Sequence, residues 1–203
     1  DPQTFLPRSV VVKHLQEARI EDSQLAESYT ATMFREAQIA SQLNAHPNCC
    51  HTYYAHVVPG QPGHVDYTVQ EPIRGGSLED LLPSARDPSQ KSAKMMAVPL
   101  ETRIKWAKQL TSAVSFMNGL GYVYRDLKCD NVMLTTHDHT ADVKLIDFGA
   151  AGRIGEPIDI EANRRAEPPD LPMKHGVSVP SANHDSWGLG WTLCELFADR
   201  GEA

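Results

Sequence analysis

The chain has 203 residues, 41% hydrophobic and 22% charged, which suits a globular protein with one sizeable core or two small lobes sharing one, and excludes collagenous, coiled-coil and wholly disordered chains. A formal net charge of −7, with no clustered Lys/Arg stripe, argues against nucleic acid or an anionic membrane surface as a partner. No apolar run approaches the roughly 18 residues of a spanning helix, DPQTFLPRS lacks the apolar core of a secretory signal, and two of the four cysteines are adjacent, so a soluble cytoplasmic protein is expected.

Residues 9–15, SVVVKHL, are β-branched and apolar up to Lys13, the pattern of a buried strand ending at a polar site. Ala26, Tyr29, Met33, Ala37, Ala40 and Leu43 recur at helical spacing, so a helix is expected over Ser23–Leu43, stopped by His46-Pro47-Asn48. CCHTYYAHVV and HVDYTVQ read as the strands of a hairpin around the turn at 59–63. After Gly75-Gly76 the pattern changes: Ser77 is the expected N-cap of a short helix in LEDLL, and the Ser- and Pro-rich stretch 83–94 is expected to be a surface insertion. The clearest helix starts at Leu100, with Leu100, Ile104, Ala107, Leu110, Val114 and Met117 as its apolar face and Gly119 and Gly121 at its end. NVMLTT and DVKLIDF follow as two strands joined by HDHTA. HDSWGLGWTLCELFA reads as a helix apolar nearly all round, so either an exposed apolar patch on the order of several hundred Å² or a minimal fold that covers it differently is expected there.

YRDLKCDN (124–131), after the long helix, and LIDFG (145–149), one expected hairpin later, resemble the catalytic and metal-binding loops of the eukaryotic-type protein kinase family. A lysine two residues after the aspartate is the pattern of the serine/threonine kinases, and GGSLEDLL leans toward their tyrosine-kinase-like branch. The resemblance implies a bilobal α+β fold truncated at both ends, with a small β-rich N-lobe over 1–73 and a mostly helical C-lobe over 74–203. It implies ATP and Mg2+ as cofactors and transfer of the γ-phosphoryl group to serine or threonine of a protein substrate. In this carry-over Asp126 orients the substrate hydroxyl and accepts its proton, and Lys128 brings an ammonium to the transferred phosphoryl. Asn131 and Asp147 become the magnesium ligands, and Arg125 ties the catalytic loop to the activation segment. VVVK resembles the family's V-A-I-K strand, which makes Lys13 the residue gripping the α- and β-phosphates and sets Val11 over the adenine ring. FREAQIASQLNAHPN resembles the helix whose carboxylate, here Glu36, pairs with that lysine. VQEPIRGGSLEDLL resembles the hinge, placing Gln70 at the back of the nucleotide pocket and the backbones of Glu71 and Ile73 on the adenine edge; Pro72 offers no N–H.

Several features depart from that pattern. Tyr124 stands where the family usually has histidine, a change expected to affect packing rather than chemistry. None of the residues before Lys13 is glycine, so the family's Gly-rich loop is either outside this sequence or dispensed with, and weak or absent catalysis is implied for the fragment. PPD at 168–170 replaces A-P-E, and Asp185 resembles the buried anchor of the family's central helix. The segment 147–177 contains no Ser, Thr or Tyr and cannot be activated by phosphorylation; Glu156, Asp159 and Glu161 are candidates for a fixed negative charge toward Arg125. A pseudokinase using the fold as a nucleotide-binding or scaffold surface is the competing reading, favoured by the missing loop and opposed by the intact polar positions. Lys128 speaks against a small-molecule phosphotransferase. His46, Cys49, Cys50 and His51 lack zinc-knuckle spacing, and His137-Asp138-His139 falls on an expected turn, so neither is read as a metal site. Nothing in the sequence fixes an oligomeric state.

Overall fold

The computed structural model describes residues 9–14, 23–58, 65–82, 98–157, 168 and 179–197, with side chains from residue 31 onward in the first helix. The turn at 59–63, the insertion at 83–94, and Asp159 and Glu161 lie outside the described residues. The chain divides into two compact units, Asp1–Ala45 with Cys50–Pro72, and His46–Cys49 with Ile73–Ala203.

The first unit carries β1 (Val11–His14), α1 (Ser23–Leu43), β2 (Thr52–Val57) and β3 (Val65–Gln70). Its sheet runs β1-β3-β2, antiparallel throughout, with Lys13 opposite Thr68 and Val11 opposite Gln70. The strand expected to be buried is instead an exposed edge: Val11 is 45% and Val12 52% accessible, because β1 pairs on one side only among the described residues. β2 loses its two-residue alternation where its register with β3 shifts, which turns both Tyr53 and Tyr54 outward. α1 buries Met33, Glu36, Ala37, Ile39, Ala40 and Leu43, a stripe at helical spacing that includes one carboxylate. Asn44 staples the end of that helix to β2, its amide nitrogen donating to the Thr52 carbonyl and its oxygen accepting the Thr52 N–H, both at 2.8 Å.

The second unit carries α2 (Leu100–Gly119), β4 (Tyr122–Val123), β5 (Val132–Leu134), β6 (Val143–Leu145), β7 (Gly152–Arg153) and α3 (Ala182–Phe197), with 3-10 turns at Glu79–Leu81 and Cys129–Asn131. Two small antiparallel ladders, β4-β7 and β5-β6, accompany the helices. The short helix expected in LEDLL is one 3-10 turn, closed reciprocally: Ser77 Oγ accepts the Asp80 N–H, and Asp80 Oδ2 accepts the Ser77 N–H at 2.8 Å. The inward face of α2 is Thr102, Trp106, Leu110, Ala113, Val114 and Met117, while Leu100 and Ile104 are exposed. Trp106 accounts for the rotation, since its buried indole N–H donates to the Ala141 carbonyl at 2.9 Å and must point inward. Cys49, expected on the strand with β2, instead bridges Leu145, and Asn48 donates to the Val143 carbonyl. α3 turns His184, Asp185, Gly188, Thr192 and Leu196 inward and, among the described residues, leaves Trp187, Trp191 and Phe197 exposed. Among the described residues no helix is long and apolar enough to cross a membrane.

Candidate active site

The first unit supplies one chemical group. Lys13 Nζ lies 2.7 and 2.9 Å from the two oxygens of Glu36, a two-pronged contact joining β1 to α1. The Glu36 side chain is 4% exposed and its charge would be costly without a partner, whereas Lys13 keeps 38% exposure and faces water as well. Val11 and Gln70 sit across the β1–β3 ladder from one another. Glu71 is occupied locally: its N–H donates to the His51 carbonyl at 2.9 Å and its side chain accepts the His51 N–H at 2.7 Å. Ile73 belongs to the second unit.

In the second unit the site is organised from Asp185, which is fully buried. Its carboxylate accepts the backbone N–H groups of Tyr124 (3.0 Å) and Arg125 (2.9 Å) and the side-chain amide of Asn118 (2.7 Å). Burial pushes its carboxyl above the usual carboxylate range, and these hydrogen bonds oppose that push. Two successive N–H groups aimed at one carboxylate require a bent backbone, and Arg125 adopts φ +70°, a conformation that costs a side-chain-bearing residue about 1–3 kcal/mol and persists because Asp185 holds it.

Asp126 emerges from that bend. Its Oδ2 accepts Asn131 Nδ2 at 2.7 Å and lies 3.2 Å from Lys128 Nζ. The turn at Cys129–Asn131 folds Asn131 back so that the same nitrogen also reaches the Asp126 carbonyl at 2.9 Å, which is why a five-residue spacing closes into one cluster. Asp126 Oδ1 is buried and has no hydrogen-bond partner, an acceptor suited to a hydroxyl donor.

Tyr124 links this loop to the next one. Its ring is fully buried, its hydroxyl donates to the Ile146 carbonyl, and it meets Phe148 edge-on at 5.7 Å. Burial drives its phenol well above the ordinary value, and the carboxylates of Asp126, Asp147 and Asp185 drive it further. Asn131 O accepts the Ile146 N–H at 3.1 Å. Asp147 is exposed with φ +54°, and its Oδ1 accepts the Gly149 N–H at 3.3 Å. Fully buried Arg125 donates to the Ala150 carbonyl at 3.4 Å, and Glu156 is exposed. Asp126, Lys128, Asn131 and Asp147 are thereby gathered in one unit. The tyrosine hydroxyl and Asn118 left no signal in the sequence that would have marked them.

Among the described residues no three His, Cys, Asp or Glu side chains gather into a ready metal cage. Mg2+ does not need one, because it keeps much of its shell for water and phosphate oxygens and takes one or two protein oxygens. Asn131 spends its nitrogen on Asp126, which leaves its Oδ1 as a ligand atom, and the Asp147 carboxylate is the hard anionic partner; this donor set fits the ion.

The protein kinase domain family matches residues 7–201. The chain is 28% identical to the serine/threonine-protein kinase Nek3 of Mus musculus over 88% of its own length and 32% of that protein's. It is 28% identical to myosin light chain kinase A of Dictyostelium discoideum, covering 84% of this chain and 53% of that one. It is 30% identical to the serine/threonine-protein kinase PknG of Mycobacterium leprae, covering 65% and 15%. The chain thus spans from about half to a small fraction of these relatives.

Proposed function

The chain belongs to the protein kinase domain family, and from that premise we propose that it is a serine/threonine protein kinase, moving the γ-phosphoryl group of ATP to a hydroxyl of a protein substrate. The observation that carries this reading is the cluster of Asp126, Lys128 and Asn131, with one Asp126 oxygen fixed by an amide and the other buried without a donor. That second oxygen receives the substrate hydroxyl. As the hydroxyl oxygen attacks the γ-phosphorus, the bond to the β–γ bridging oxygen breaks, ADP leaves with those electrons, and the proton passes to Asp126. Lys128 stabilises charge on the transferring group, and Lys13, oriented by Glu36, holds the α- and β-phosphates. Bound magnesium, held by Asn131 and Asp147, would supply neutralising charge on the phosphates. Val11, Gln70 and the backbones of Glu71 and Ile73 contact the base, and the division into lobes at residues 73 and 74 belongs to the same proposal. Its four cysteines are free thiols, three of them buried, which suits a reducing compartment such as the cytoplasm.

Thermal denaturation with and without Mg-ATP tests the reading. Near a hundredfold excess over Kd the wild type gains about 2.7 kcal/mol, or roughly 8 °C, and Asp147→Asn gains almost nothing. Negligible shifts in both proteins would favour a pseudokinase scaffold instead.

A further inference from the structure

Resting on the kinase reading above, we infer that Gly188 is a positioning residue that sets how closely the catalytic loop lies on α3. The helix holds the loop at two points one turn apart. At the first, Asp185 takes the N–H groups of Tyr124 and Arg125. At the second, buried Gly188 lies so close to Leu127 that a Cβ there would stand 3.1 Å from the Leu127 Cβ and 3.2 Å from its carbonyl oxygen. Contacts this short force the neighbour back by a few tenths of an ångström. Leu127 separates Asp126 from Lys128, and the loop upstream is pinned by Asp185, so a retreat at 127 tilts both chemical groups about a fixed point instead of carrying them along together. The helix is itself tied to α2, because Asn118 donates its side-chain amide to Asp185 at 2.7 Å. Gly190, in the same helix, is the internal control, since a Cβ there meets nothing within 4 Å.

The test compares Gly188→Ala and Gly190→Ala in the 203-residue chain. Three quantities are measured: melting temperature, steady-state phosphotransfer from ATP to a mixed pool of serine and threonine peptides, and amide hydrogen exchange over residues 124–131. Gly190→Ala is expected to raise the melting temperature by about 3 °C with kcat unchanged. Gly188→Ala is expected to lower kcat about tenfold at unchanged KM for ATP and to speed exchange in the loop, while melting no lower than the wild type. Wild-type kcat and exchange in Gly188→Ala would overturn the inference. A melting temperature more than about 10 °C below wild type would also overturn it, because the contact would then support the fold instead of placing the loop. If the 203-residue chain transfers no phosphate, the result counts against activity of this segment alone, and the exchange difference between the two variants still decides the role of Gly188.

Discussion

Lys13→Met and Glu36→Gln remove the two halves of one ion pair, and the structure predicts that they are unequal. Glu36 is buried at 4% exposure with both oxygens on Lys13 at 2.7 and 2.9 Å, so Lys13→Met removes a two-pronged counter-charge from a carboxylate inside the first unit, on which neighbouring Arg35 also acts. Removing one partner of a buried ion pair costs about 3–5 kcal/mol; the 38% exposure of Lys13 lets water screen the site and Arg35 still acts on Glu36, so the lower end, about 3 kcal/mol, applies. At roughly 3 °C per kcal/mol for a chain of this size, the melting temperature falls by about 9 °C. Glu36→Gln keeps the shape, discards the buried charge and lets the ammonium turn to water, costing about 1 kcal/mol, or about 3 °C. Combining the two substitutions should recover part of the Lys13→Met loss, because the buried carboxylate is then gone as well. Far-UV circular dichroism melts of the three variants provide the measurement. Equal losses in the two single variants, or a double variant that melts lower by the sum of both, would refute the reasoning.

Asp185 is raised by burial, so the folded protein holds its proton more tightly than the unfolded chain; stability conferred through this group is present below the unfolded carboxyl value of about 4 and is lost as pH rises through the folded value. The melting temperature of Asp185→Asn relative to wild type, followed from acid to neutral pH, should therefore change across that window, and a pH-independent difference would contradict the assignment. Tyr124→Phe keeps the ring against Phe148 but strips the donor from the Ile146 carbonyl, costing about 1–3 kcal/mol in urea titrations, with an unchanged midpoint as the contrary result. Gly75→Ala would put a Cβ 2.1 Å from the Thr136 carbonyl oxygen, so little folded protein is expected by size-exclusion chromatography; a well-folded variant would show that this contact can open.

Spacing made much of this architecture legible. α1 begins and ends where its apolar recurrence places it, because that stripe is continuous and the break at His46-Pro47-Asn48 is sharp. The β5–β6 hairpin and the cluster of Asp126 and Asn131 were equally readable, since they join residues no more than thirteen positions apart. What escaped depends on contacts distant in sequence. The rotation of α2 follows from one indole donating 35 residues away, and the exposure of β1 follows from its edge place in the sheet. The LEDLL segment closed as a single turn because Ser77 and Asp80 satisfy each other locally, leaving no call for further helical bonds. Tyr124 shows the limit of motif reading: the departure from histidine was visible, yet its hydroxyl bridging the two loops was not.

The account rests on Asp126 as the group that receives the substrate proton, and Asp126→Asn addresses it most directly. Phosphotransfer from ATP to serine and threonine peptides should fall by about 10²–10⁴ while the Mg-ATP thermal shift stays at its wild-type size, because Asn131 and Asp147 still hold the ion. Phosphotransfer at the wild-type rate by Asp126→Asn would contradict it.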